Sequence, residues 1–217
     1  TGILDSSGAT YTKTSDGAGG YTITMPENTN YIGQPTRLNG QIKPMLDRAL
    51  WSEPSEIVVN QHNSGKPIFP FVVMTAAESH FMVAEAITKG LASGDAQGHY
   101  QTGLRHAMSL WDVSSADIEN FIATESMALL NGSTDQNLEK IATQRWIALF
   151  TNGYEAWAVV RDTGYPTELS AGVSDDDIFV LGDLNGAYPQ RHRYGTGPYN
   201  TNAANVEQAN SEQGPDV

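Results

Sequence analysis

Gln144-Arg145-Trp146-Ile147-Ala148-Leu149-Phe150-Thr151-Asn152-Gly153-Tyr154-Glu155-Ala156-Trp157 is the stretch on which the fold of this chain turns. Together with Ile141 and Val160, its apolar members Ile147, Leu149, Phe150, Tyr154 and Trp157 lay out the broad apolar stripe of an α-helix. The pattern predicts one long helix from about Asn137 to Val160, terminated by Gly164-Tyr165-Pro166. Gly153 falls inside it at a cost of roughly 1 kcal/mol against Ala, so close helix packing or a kink is expected there.

Three more helices precede it. Thr75 with Glu78 forms a capping-box pattern ahead of Phe81, Met82, Ala84, Glu85, Ala86 and Ile87, and Gly90 stops that helix. Asp95 is the expected N-cap of a second, which runs to Trp111 with Tyr100, Leu104, Ala107 and Met108 at helical spacing. Ser114 or Ser115 caps a third, carrying Ile118, Phe121, Ile122 and Leu129-Leu130 and ending at Asn131-Gly132. Ala84, Gly103 and Ala107 are small where two antiparallel helices must approach, so residues 75–111 resemble a tetratricopeptide hairpin. One hairpin cannot bury its own apolar face and needs neighbours.

Residues 1–74 read differently. Tyr11-Thr-Lys-Thr14 and Tyr21-Thr-Ile-Thr24 alternate around a Gly-rich loop, which predicts a β-hairpin. A short helix is expected over Ile42 to Trp51, and Ile57–Val59 and Ile68–Val73 are short apolar runs of strand or extended type. Residues 167–217 are Gly- and Asn-rich, with a short helix expected over Ala203 to Ala209. The organisation is thus a loop-rich segment (1–74), a helical core (75–166) and an irregular tail (167–217). The fold class is mainly α, with tetratricopeptide-like hairpins and loop-rich, minor β attachments.

Composition narrows the function. The 217 residues carry a formal net charge of −13, which excludes a nucleic-acid binder and disfavours docking on anionic lipid. No apolar run is long enough to span a bilayer. Cysteine is absent, which removes disulfides, thiol nucleophiles and Cys-ligated metals. The chain opens at Thr1 without an initiator Met or an apolar leader, so it reads as a processed piece with any targeting signal upstream.

No residue set argues for catalysis, a metal or a cofactor. His99 and His106 share a helix face but lie two turns, roughly 10 Å, apart. His80 and Glu78 point to different helix faces, and there is no HExxH pattern, so all five histidines read as solvated or hydrogen-bonding. Asp175-Asp176-Asp177 with Asp183, Asn185 and Gly186 misses the EF-hand spacing and reads as a solvated acidic loop. The 25 acidic residues do not select any carboxylate pair for glycoside hydrolysis. GxSxG, P-loop and GxGxxG motifs are all missing.

Aromatic residues say more. Tyr31, Trp51, Tyr165, Tyr188, Tyr194 and Tyr199 fall outside the helical stripes. Flat rings stack on the apolar faces of sugars while planar Asn, Gln and Arg groups bind hydroxyls. Tyr31 and Trp51, beside Arg37 and Asn39, are the expected ligand-binding residues.

The 144–157 stretch with Arg161-Asp-Thr-Gly-Tyr-Pro166 resembles the SusD/RagB family of Bacteroidetes outer-membrane lipoproteins, in its W-I-A-L-F-x-N-G-Y-E-A-W branch. Tyr31-Ile-Gly-Gln-Pro35, Met74-Thr-Ala-Ala-Glu78 through Ala86, and Pro189-Gln-Arg-His-Arg-Tyr194 are similar to three further family segments in order and spacing. Ala76, Gly195 and Pro198 depart from the pattern. The resemblance implies a non-catalytic, cell-surface glycan-binding component of a polysaccharide uptake system. It also implies a TonB-dependent, SusC-like transporter as partner. Membrane attachment would come only through a lipid anchor upstream, so that this chain is a carboxyl half. A glycoside hydrolase and a scaffold without sugar contact are the alternative expectations.

Overall fold

The computed structural model describes residues 12–15, 17–18, 20–24, 33, 40, 52, 54, 58, 71–177 and 179–213, in two units. The first unit takes in residues 1–70 and 174–185. Its described part holds the expected hairpin: β1 (Thr12–Ser15) pairs antiparallel with β2 (Tyr21–Thr24), with Thr12 opposite Thr24 and Ser15 opposite Tyr21. Gly17 takes the left-handed conformation its loop requires, φ 76°. In the 174–185 segment, the Asp177 amide donates to Asp175 Oδ1 at 3.1 Å, an acidic turn closed on itself. The expected helix over 42–51 lies outside the described residues.

The second unit, residues 71–173 and 186–217, is helical. Thr75 caps α1 (Ala76–Thr88), its hydroxyl accepting from the Glu78 amide at 3.1 Å. Only that half of the expected capping box forms. The Glu78 carboxylate reaches Arg145 instead, at 3.3 Å, and Glu78 is buried. Asp95 caps α2 (Ala96–Ser109) as expected. The two helices form an antiparallel hairpin in which the Phe81 ring packs against Gly103. A Cβ at Gly103 would stand 2.6 Å from the Phe81 ring, so only glycine admits it. Phe81, Tyr100, Leu104 and Ile141 are the large, fully buried side chains of one cluster, with Ala77, Ala84 and Ala128 in it, and Val160 is fully buried as well.

Two boundaries differ from expectation. Ser114 caps α3 (Ser115–Thr124), but the helix stops there rather than at Leu130. The chain turns through a 3-10 segment, Ser126–Ala128, because other helices take its backbone groups. Tyr100 Oη–H donates to the Met127 carbonyl at 2.6 Å, and Gln97 grips both the Ala128 carbonyl and the Leu130 amide. Lys140 donates to the Ser126 and Leu129 carbonyls. Asn131-Gly132 therefore precedes the next helix instead of closing this one.

The long helix is likewise two. A reciprocal Ser133–Gln136 capping box starts α4 (Thr134–Ala148), three residues earlier than the apolar pattern suggested. Its last turn tightens, and Leu149 is buried with Ala142 and Val159. Asn152 then caps α5 (Gly153–Thr163), its side chain accepting from the Glu155 amide, and Gly164 ends it at φ 74°. Gly153 is not a close-packing glycine: nothing lies within 4 Å of where its Cβ would stand. It is the first residue of a new helix.

A short α6 (Thr167–Ser170) follows, and α7 (Thr196–Thr201) with α8 (Ala203–Gln213) closes the chain, the last longer than the expected 203–209. Among the described residues no helix is long and apolar enough to cross a membrane.

Candidate functional site

Breaking the long helix at residues 149–152 redirects the aromatic stripe. With one continuous helix, Phe150 and Tyr154 would lie along the core-facing side. In the structure Phe150 is exposed and Tyr154 keeps 74% of its surface. Phe150 meets the Trp111 ring edge-on at 5.9 Å, and Tyr154 stands at the start of α5 beside His192 of the irregular 189–192 segment.

Between these elements lies an open cleft of about 610 Å³, lined by Phe71, Asn152, Tyr154, Trp157, Arg191 and His192 among others. Trp157 is its fixed wall: the indole Nε1–H donates to the Pro189 carbonyl at 2.7 Å, and Arg161 lies over the ring with Cζ 4.7 Å from its centroid. Arg161 also donates to the Gln190 carbonyl at 3.3 Å, so both side chains hold the 189–190 backbone. His192 sits between the two α5 rings, 4.8 Å from Trp157 and 5.8 Å from Tyr154, tilted by 53° and 56°. Arg191 is anchored by Asn210 at 2.6 Å and lies over the Tyr194 ring. Phe71 is 88% exposed. The arrangement offers flat apolar surfaces at several inclinations, with planar Asn and Arg groups at their margin. Its lining includes no carboxylate among the described residues.

The expected ligand-binding residues Tyr31, Arg37, Asn39 and Trp51 lie outside the described residues. Of the remaining aromatics outside the stripes, Tyr165 packs on the cluster around Leu149, and Tyr194 lies beneath Arg191. Tyr199 Oη accepts from Asn210 Nδ2, and burial pushes the Tyr188 phenol upward. Tyr165 thus ties its loop to the helices, and Tyr199 joins α7 to α8. The rings that face the cleft, Tyr154 and Trp157, are ones the helical periodicity had assigned to the core. The signal for their exposure was Asn152-Gly153, a cap followed by a glycine, which separates them from the helix before.

A second cluster joins α1 to α2. His80 Nδ1 and His99 Nδ1 are 3.0 Å apart, and the His106 ring stacks on His80 at 5.6 Å and 16°. Burial first, and then the charges of His99 and His106, hold the His80 pKa below its ordinary 6.5. Among the described residues no three of His, Asp and Glu are arranged to hold a metal ion between them.

Comparison with known proteins gives a consistent picture. The model of a SusD-like family, described as starch-binding and associating with the outer membrane, matches residues 23–194. The fold is similar to that of a Bacteroidetes AC2a SusD-like protein, with TM-score 0.58 and 29% identity over 66% of this chain and 28% of that one. It is similar to a SusD homologue from Bacteroides uniformis, with TM-score 0.55 and 28% identity over 68% of this chain and 36% of that one. It is also similar to a chitin-binding protein, with TM-score 0.53 and 26% identity over 65% and 30%. The match thus spans about a third of these proteins' lengths. No curated protein matches.

Proposed function

Since the chain belongs to the SusD-like family, we propose that it is part of a non-catalytic, glycan-binding component of an outer-membrane nutrient uptake system. The observation that carries this reading is the open aromatic cleft at the start of α5. Trp157 is fixed in orientation by its indole hydrogen bond and by Arg161, while Tyr154 is left exposed beside it. Rigid rings with bordering Asn152 and Arg191 suit the alternating apolar faces and hydroxyl edges of a sugar chain. The family's description as starch-binding and the chitin-binding structural relative favour the same ligand class. Hydrolysis would require two carboxylates about a cleft, and the lining supplies neither among the described residues.

Tyr31, Arg37, Asn39 and Trp51 remain the second proposed contact set. The partner in this reading is a TonB-dependent, SusC-like transporter, which the protein would serve from the extracellular face of the outer membrane. Attachment would be by a lipid anchor outside this chain, and no cofactor is invoked.

Titration of the protein with malto-oligosaccharides and chito-oligosaccharides, read by calorimetry and tryptophan fluorescence, tests the proposal. Binding of one series is expected, with Tyr154→Ala and Trp157→Ala weakening it at least ten-fold and Trp157→Phe retaining most of it. Binding that both alanine variants leave intact would remove the cleft from the site. No binding of any glycan by the folded protein would remove the function.

A further inference from the structure

We propose that His80 of α1, with His99 and His106 of α2, forms an acid-sensitive latch on the first helical hairpin. It is closed while the His80–His99 pair keeps one Nδ1 bare, and released when both rings are protonated. The reading is independent of the glycan cleft. Three of the five histidines in the chain meet at this one interface. The Nδ1 atoms of His80 and His99 stand 3.0 Å apart, head-on, in a hydrogen bond across the hairpin. Such a bond holds one proton between two nitrogens, so one of them must offer its lone pair. A second proton sets N–H against N–H at that distance, and the contact has to open. His106 adds to the effect. Its ring lies on His80 at 5.6 Å between centroids and 16°, where one imidazolium repels another.

Among the described residues no carboxylate pairs with any of the three rings. The charged groups of the packed elements are engaged with one another instead. Glu78 and Glu85 of α1 hold Arg145 of α4 at 3.3 and 3.7 Å, and Lys89 pairs with Glu85. Glu119 of α3 takes Arg105 of α2 at 2.7 Å, and the Asp95 carboxylate accepts from the Gly98 amide. The charges that bear on His80 are those of His99 and His106, which add to burial in holding its pKa below 6.5. Folded His80 thus takes up its proton less readily than unfolded His80. The hairpin is at full strength above about pH 6.5 and weakens as pH falls below it.

The latch sits where the hairpin closes. Gly103 lies between His99 and His106 along α2, and Phe81, next to His80, packs its ring against that glycine. Beside His106 the helices already leave room: an open cavity of about 640 Å³ is lined by Ala76 and Ala77 of α1 and by His106, Ser109 and Leu110. Release of the rings parts the helices there and loosens Phe81.

The test melts the whole chain between about pH 8 and pH 5, the range in which histidine gains its charge. Over that range the wild-type melting temperature is expected to fall by about 2–4 °C more than that of His80→Gln, whose amide can still bond His99 but takes up no proton. His99→Gln should flatten the profile likewise, and His106→Phe, which keeps a stacked ring, in part. His62→Gln, outside the three, should follow the wild type. Coincident profiles for the wild type, His80→Gln and His99→Gln would overturn the latch, as would an equal flattening in His62→Gln. Nitrogen-15 spectra of the unmodified protein decide the question even where a variant folds poorly. The His80 ring is expected to titrate below 6.5 and, as it does so, the Phe81 and Ala84 amides to exchange faster after correction for intrinsic rates. Titration of His80 at or above 6.5, or charging without a change in exchange at Phe81 and Ala84, would overturn the proposal.

Discussion

Phe81 and Tyr154 are both helical aromatic residues, and they meet opposite fates: the first has no exposed surface, the second keeps 74% of its own. The difference lies in what stands opposite. Across from Phe81 the chain supplies Gly103, and the ring occupies the space where a side chain would be. Across from Tyr154 it supplies the irregular 189–192 segment, tied to α5 by Trp157 and Arg161 and bordering an open cleft. In the α1–α2–α4 region apolar area goes into packing. At the start of α5 it is kept at the surface, beside an open cleft. A protein that needs both a stable hairpin stack and a sticky face assigns them to different helices.

The sharpest way to break that contrast is to truncate both rings. Phe81→Ala leaves a cavity in a closed core and is expected to cost about 3–5 kcal/mol. Tyr154→Ala removes little buried surface and should stay within about 0.5 kcal/mol. Urea unfolding with matched m-values measures both. A Tyr154→Ala cost near that of Phe81→Ala would mean that the cleft is a closed core, and the functional proposal would lose its base.

Next in size is the glycine that receives Phe81. Gly103→Ala places a methyl against the ring and should destabilise the chain by about 1–3 kcal/mol. Because the loss comes from one contact, it should be strongly non-additive with Phe81→Leu: in that background the extra methyl finds room and the second step costs less. Additive losses would show that Gly103 is required for some reason other than the ring.

The same contrast shows what the sequence made legible. The caps at Thr75, Asp95 and Ser114, the close approach at Gly103 and the hairpin at 12–24 were readable because each rests on local chemistry: a short side chain accepting a backbone amide, a missing Cβ, alternation around a turn. The breaks after Thr124 and after Ala148 were not, since apolar residues continue through both at helical spacing. What ends α3 is the capture of the 126–130 backbone by Gln97, Tyr100 and Lys140, which are distant in sequence. The departure of Glu78 from its capping box has the same origin: Arg145, 67 residues on, takes the carboxylate. The cleft suffered most from this. One continuous helix would put Tyr154 and Trp157 in the core, so the helical pattern leaves only rings outside the stripes, Tyr31 and Trp51 first among them, as candidate ligand contacts. His99 and His106 are too far apart along their own helix to meet, and the partner of both is His80 across the hairpin, a contact that no spacing within one helix displays.

One substitution is expected to act in the opposite direction. Gly153 is also a helical glycine, but it is the first residue of α5 and faces open space. Its backbone is outside the left-handed region, so alanine fits without strain. Gly153→Ala should therefore stabilise the chain by about 0.4–1 kcal/mol, chiefly by restricting the unfolded ensemble. Two glycines in two helices would then answer one added methyl in opposite directions, one because a ring already fills the space and the other because nothing does. Loss of stability in Gly153→Ala would mean that the α5 start is packed against something, and the cleft beside it would be narrower than the structure draws it.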